Sequence, residues 1–319
     1  MFKKLLATTA AMFALSSTVL TAQAEDINFG IISTDSTQNL KNDWQPLLDD
    51  MAKQTGLTIK AFFAPDYAGV IEGMRFNKVQ VAWYGNKAAM EAVDRANGDV
   101  FVQMVNADGT QGYTSHLIVN KDSPINNLDD MFKVAKTLSF GNADPNSTSG
   151  YLVPGYYVFG KNKVDPKTAF KVVRTGNHEG NSLAVASKQV DVATNNSENL
   201  DKLKANAPDK FKEIKIIWTS PLIPSDPIVM RRDLPAATKE KITAFFLNYG
   251  KTDPHEKEIL AKLNKLAGFK ASTNDQLIPI RELDLFAKRL KLENDTTMSE
   301  SDKTKALAEI DAKLAALKK

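Results

Sequence analysis

The 319-residue chain has no cysteine, only three histidines and no block of basic residues. The first absence excludes disulfides, thiol nucleophiles and cysteine–metal sites, so stability must come from a buried core. A chain of this length forms about two domains and can bury such a core. Three scattered histidines without cysteine do not make the usual metal clusters, and no nucleophile–base pair stands out. A hydrolytic enzyme such as a phosphatase therefore lacks its parts. The 41 basic and 38 acidic residues are interleaved, which argues against a nucleic-acid surface. Beyond the N-terminus no apolar run approaches the ~20 residues needed to span a bilayer. What remains, 43% hydrophobic and 25% charged, is an ordinary globular composition.

The N-terminus carries the first positive signal. Lys3 and Lys4 form a charged segment, and Leu5 to Leu20 is mostly apolar with threonines and serines interrupting it. Ala22-Gln23-Ala24 fits the small-x-small rule for a signal peptidase site. The interruptions leave the apolar runs too short for a membrane anchor. The expectation is a signal peptide over 1–24, cleaved after Ala24, and a mature periplasmic chain with 39 basic against 38 acidic residues. Lacking cysteine, that chain is expected to carry no lipid anchor.

Strands then alternate with helices. INFGIIS (27–33) reads as a strand; Leu40, Trp44, Leu47, Leu48 and Met51 form one face of a helix that Gly56 ends. Pro46 leaves open whether that helix kinks or starts only a few residues earlier. LTIKAFF (57–63), VQVAWYG (79–85) and VFVQMV (100–105) read as strands, with helices after Asp66 and over 86–97. This spacing implies βαβ units and a mainly parallel sheet. The run 114–131 marks a boundary. A second unit follows in TLSFGN, FKVVRTG and VDVATNN with helices between them, NSLAVASKQ among these. The proline-rich stretch 221–235, with one short strand inside, reads as a return crossing. Ile242, Phe245, Phe246 and Tyr249 then make a core-facing helical stripe.

The layout is two α/β lobes joined by two extended crossings, the second lobe inserted in the first. The expected bounds are 25–120 and 230–298 for lobe I, 121–229 for lobe II and 299–319 for a helical tail. Such architectures bind small ligands in the cleft, at the carboxyl ends of strands. In the tail, Leu307, Ile310, Leu314 and Leu317 form a seam that docks either at home or on a second copy. Two heptads do not decide between these.

One decapeptide, GNADPNSTSG (141–150), follows a predicted strand and opens a predicted helix. It is either an ordinary capped helix or an anion cradle. Unpaired N–H groups and the helix dipole favour an anion there, and Ser147, Thr148 and Ser149 add donors beyond what one cap uses. No Gly-Lys-Ser/Thr follows, so no nucleotide loop is implied. His178, in RTGNHEGNS, again lies between a strand and a helix, at the same expected sheet edge. An imidazole beside a dianion there would gain a proton and a charge-assisted bond. His116 reads as structural and His255 as a surface residue. Glu198 in NNSENL and Asp226 in PSDP are either solvated loop carboxylates or a seat for an ammonium group. In the second case each attraction is about 4 kcal/mol at ~4 Å and an effective dielectric near 20, before desolvation.

Several long segments resemble the periplasmic substrate-binding proteins of phosphonate ABC transporters. They are INFGIIST, AFFAPDYAGVIEGMRFNKV, AWYGN, MEAVDRANG, VNKDSPINNL, DPNSTSG, LVPGYYVF, KQVDVATNN and SPLIPSDPIV, spread over about 26–250. The resemblance implies a type II periplasmic binding protein fold, an α/β pair of lobes with mainly parallel sheets and two hinge crossings. It implies a carrier that closes around alkylphosphonates, 2-aminoethylphosphonate best, and delivers them to an inner-membrane permease, without catalysis or cofactor. It places the phosphonate on Tyr67, Ser147, Thr148, Ser149 and His178, and the amine on Tyr113, Glu198 and Asp226. Tyr67 would otherwise read as an ordinary aromatic. Two positions depart from the family pattern: Thr114, where Trp is common after Gly-Tyr, and Ala143, where Gly is common. The alternative ligand is another small oxyanion such as phosphite or phosphate, which the two carboxylates would repel. A sensor or scaffold domain of the same fold would need a tether or output domain. A homodimer through the C-terminal helix remains open at this point.

Overall fold

The computed structural model describes residues 26–317. The expected signal segment and its cleavage after Ala24 lie outside the described residues. In chain order the strands are β1 (Asp26–Ile31), β2 (Thr58–Phe63), β3 (Val81–Trp83), β4 (Gly98–Asn106) and the short β5 (Gly112–Tyr113). Then come β6 (Ser115–Asn120), β7 (Ser139–Ala143), β8 (Val172–Gly176), β9 (Val192–Asn196) and β10 (Ile214–Thr219). The last are β11 (Ile223–Pro224), β12 (Pro227–Arg231) and β13 (Leu266–Ala271).

Two sheets organise the molecule. The larger has the order β13-β4-β12-β3-β1-β2, the smaller β10-β6-β9-β7-β8. In each, three strands are parallel with helices between them: β1, β2 and β3 in the larger sheet, β7, β8 and β9 in the smaller. One antiparallel strand is then inserted: β12 between β3 and β4, and β6 between β9 and β10. Both inserted strands follow a crossing from the other lobe. A strand that arrives without a helical crossover is not turned back to run parallel.

Sheet membership therefore differs from the expected bounds. β6 belongs to the second sheet although the expected lobe I runs through residue 120, and β12 belongs to the first although the expected lobe II runs through residue 229. The crossings are only the short links around β5 and β11, which pair with each other. The proline-rich stretch is half crossing and half central strand: Ile228 and Val229 are fully buried between β3 and β4.

Local sequence explains the framing elements. The helix Thr37–Thr55 is capped by Ser36, ends at Gly56 with φ 69°, and buries Leu40, Trp44, Leu47, Leu48 and Met51. It starts nine residues before Pro46 and runs through it, without the hydrogen bond that residue cannot donate. In β6 the alternation is visible. Leu117 and Val119 join a core on one face with Phe140 and Phe159, and Ile118 joins Val185 and Leu200 on the other. Among the described residues no helix is long and apolar enough to cross a membrane.

At the C-terminal end, the helix Ile278–Glu293 lies over both lobes. Arg281 forms a two-pronged pair with Asp94 of lobe I, at 2.6 and 2.7 Å, and Ile280 packs with Leu152 and Val153 of lobe II. The tail helix Glu300–Ala316 packs on this helix, with Ile310 and Leu314 buried and Asp311 paired to Arg289. The tail seam is thus used within the chain.

Candidate functional site

Six of the eight expected residues stand where a helix begins. Ser147 caps the helical stretch 148–160; Thr148 and Ser149 are its first two residues. Tyr67 and His178 are the first residues of Tyr67–Arg75 and His178–Ala186, and Glu198 is the second of Ser197–Asn206. Each helix follows a strand, so the sheets deliver all of them to one edge. Tyr113 lies on β5, and Asp226 immediately precedes β12. All eight line one cavity between the lobes.

The hydroxyl-rich turn is wound as a π-helix over Thr148–Leu152, with the Leu152 N–H reaching back to the Ser147 carbonyl at 3.1 Å. Wider winding leaves an extra N–H unpaired at the start, and such turns recur at functional sites. Ser147 Oγ accepts from Gly150 N at 3.0 Å. Thr148 Oγ1 accepts from Lys87 N, across the cleft, at 2.8 Å, so its own proton remains to donate. The turn packs tightly: a methyl group on Gly150 would lie 2.2 Å from Ala143 Cβ, so at the position where the family commonly has Gly, this chain has filled the space with a methyl.

His178 is buried, with Nε2 3.4 Å from Asn196 Nδ2 and 3.5 Å from Ser149 Oγ; its Nδ1 has no hydrogen-bond partner. Burial pushes its pKa down to about 4, and the nearby Asp35 offsets this only in part. In the shut cleft the ring is neutral. Without an anion beside it, desolvation outweighs the attraction of the nearby acid, and the expected gain of a proton applies to the ring with a dianion in place. Tyr67 keeps its proton because burial, and the charges of Asp144 and Asp226, raise its pKa.

The acidic residues stand together beside Tyr113. Asp226 accepts from the Tyr113 hydroxyl at 3.1 Å and from Asn86 Nδ2 at 3.4 Å on Oδ1, and from Trp83 Nε1 at 3.2 Å on Oδ2. Burial and the Glu198 charge nevertheless raise its pKa well above the usual carboxylate range. Glu198 is half-buried, its remaining surface facing the cavity. Burial raises its pKa to about 7, against the lowering effect of Lys202. Two crowded carboxyl groups that hold protons near neutrality can be satisfied by a cation instead. His116 lies outside this cavity, bound to Thr114 and Thr219 hydroxyls, and His255, the second residue of the helix Pro254–Asn264, does not line it either.

Sequence reading missed Trp83, Asn86 and Asn196. Asn86 and Asn196 each sit at a strand-to-helix junction, the same position that marked His178, so that signal was available. Trp83 had none, since a strand tryptophan reads as core.

Two lobes with a cavity between them, crossed by two paired links and lined by donors from both sides, define a small-ligand-binding protein. The chain belongs to the phosphonate ABC transporter periplasmic substrate-binding protein family, whose model matches residues 29–277. It is 59% identical over 307 residues, 95% of this chain and 90% of the relative, to the phosphonates-binding periplasmic protein of Escherichia coli. It is also similar to the crystal structure of a binding protein component of an ABC phosphonate transporter from Pseudomonas aeruginosa. There the identity is 55% and the TM-score 0.91, covering 93% of this chain and 97% of the other. A Prochlorococcus marinus protein solved with methylphosphonate shares the fold at 22% identity and TM-score 0.72, over 81% and 97% of the two chains. The type II binding-protein fold and a transport rather than enzymatic role follow from this membership.

Proposed function

We propose that this cleft captures 2-aminoethylphosphonate in preference to other phosphonates and hands it to the permease. The headgroup is held by Tyr67, Ser147, Thr148, Ser149 and His178, and the ammonium by Tyr113, Glu198 and Asp226. The observation that carries this reading is the pairing of two proton-holding carboxyl groups, Asp226 buried and Glu198 half-buried, with an uncharged donor cluster in one cavity. An ammonium neutralises the first while oriented N–H and O–H groups hold the anion without a formal positive charge. A bare phosphite or phosphate would satisfy only one half of the site. Signal cleavage after Ala24 belongs to the same reading, as does lobe movement about the links near β5 and β11. The burial of Ile310 and Leu314 within the chain supports a monomer rather than a dimer through the tail, which light scattering would test.

Calorimetric titration with 2-aminoethylphosphonate, methylphosphonate, phosphate and phosphite tests the assignment. The aminated ligand should bind at least about tenfold tighter than methylphosphonate, ~1.4 kcal/mol. Glu198→Gln should remove that preference and leave methylphosphonate binding nearly unchanged. Equal wild-type affinities for the two phosphonates would remove the amine seat.

A further inference from the structure

Three helices of lobe I donate hydrogen bonds from their N-termini to side chains of lobe II. Lys87 N donates to Thr148 Oγ1, Tyr67 N to Asp144 Oδ2 at 3.1 Å, and Ser36 N to Glu179 Oε2 at 2.5 Å. The third contact is the most developed. Glu179 Oε1 also accepts from Asn39 Nδ2 at 2.6 Å, and Glu179 N donates to the Thr34 carbonyl at 3.3 Å. The helix Thr37–Thr55 has no acidic residue in its own first turn, so the carboxylate that complements its dipole comes from across the cleft. Neither Glu179 nor Asp144 lines the cavity. Glu179 is, however, the neighbour of His178, which does, so seating His178 against a ligand and docking Glu179 on the opposite lobe are one movement.

Resting on the phosphonate reading of the cleft, we propose that Glu179, with Asp144, is a closure latch. It caps helices of the facing lobe only when the lobes meet, and so sets affinity for every ligand without selecting among them. It is a positioning residue. When the lobes part, its carboxylate passes into water, and the helix Thr37–Thr55 keeps only Ser36 Oγ as its cap.

Closing affinity by one cap changes binding by about three- to tenfold. Glu179→Ala should therefore weaken methylphosphonate and 2-aminoethylphosphonate by the same factor in that range, leaving their ratio as in the wild type. At pH 8, where the ligand-free cleft is expected to be open, the melting temperature of the ligand-free protein should not change, because the open form has no such contact to lose. Asn39→Ala, an exposed substitution in the other lobe, should reproduce a smaller loss. The double variant should lose no more than Glu179→Ala alone, since both remove one contact. Unequal losses for the two ligands, additive losses in the double variant, or wild-type affinity in Glu179→Ala would each overturn the latch. Failure of the wild type to bind either phosphonate would instead sink the functional reading. The latch would then be judged by small-angle scattering on ligand-free protein at pH 5.5, where the shut form is expected to be populated: Glu179→Ala must be more open than the wild type, and equal radii would reject it.

Discussion

On the proposed reading, His178 serves the dianion seat as an uncharged ring. With its pKa near 4 the ring offers a neutral nitrogen among three hydroxyls, and its Nδ1 is left over by the protein. A buried group with no partner costs ~1–3 kcal/mol, which a ligand oxygen can recover. His178→Ala should weaken methylphosphonate about tenfold, and by the same factor at pH 7 and pH 9, because the ring is uncharged at both. Titrations at the two values check this. A factor that grows toward pH 7 would mean that the bound anion recharges the ring, since an imidazolium is populated only below its pKa. Residue type alone pointed to His178 and to the three hydroxyls, but not to the ring's charge. That depends on complete burial, which no local pattern of residues encodes.

The links between the lobes are decided by single-atom clearances. β5 and β11 pair as Gly112 with Pro224 and Tyr113 with Ile223, and a Cβ on Gly112 would stand 1.9 Å from the Ile223 carbonyl oxygen. No side-chain rearrangement relieves a clash with backbone, so Gly112→Ala must force the two crossings apart. Thermal unfolding should register a loss of about 1–3 kcal/mol, in the range of overpacked buried sites. Unchanged stability would mean that the crossings are free to separate. Elements with strong periodicity, such as the helix Thr37–Thr55 and the strands β1 to β4, were legible in the sequence, because burial on one face writes itself as spacing. The crossings were not. Pairs of two residues leave no periodic signature, and β6 and β12 read as parts of the lobe they follow because a strand's partners lie far away in the chain. The pairing of Glu179 with Ser36 was invisible for the same reason: its partners are 143 residues apart.

Across the whole molecule, closure and protonation should be linked through Glu198 and Asp226. When the lobes part, water reaches both carboxyl groups and their pKa values return toward the ordinary range; in the shut cleft that of Glu198 is about 7 and that of Asp226 is also raised. The shut form therefore binds protons more strongly than the open one. Its advantage from Glu198 is fully present below the ordinary carboxylate pKa and is lost as pH rises through about 7. Small-angle scattering on ligand-free protein should accordingly give a larger radius of gyration at pH 8 than at pH 5.5. 2-Aminoethylphosphonate should remove this dependence, its ammonium standing where the proton stood. Methylphosphonate brings no cation, so above pH 7 it should close the cleft only with proton uptake, which calorimetry in buffers of different ionisation enthalpy would detect. Glu198→Gln, neutral at every pH, should flatten most of the ligand-free response. If the radius is the same at both pH values, or if the response survives intact in that variant, these two carboxyl groups do not govern closure, and the raised pKa of Glu198 has no mechanical consequence.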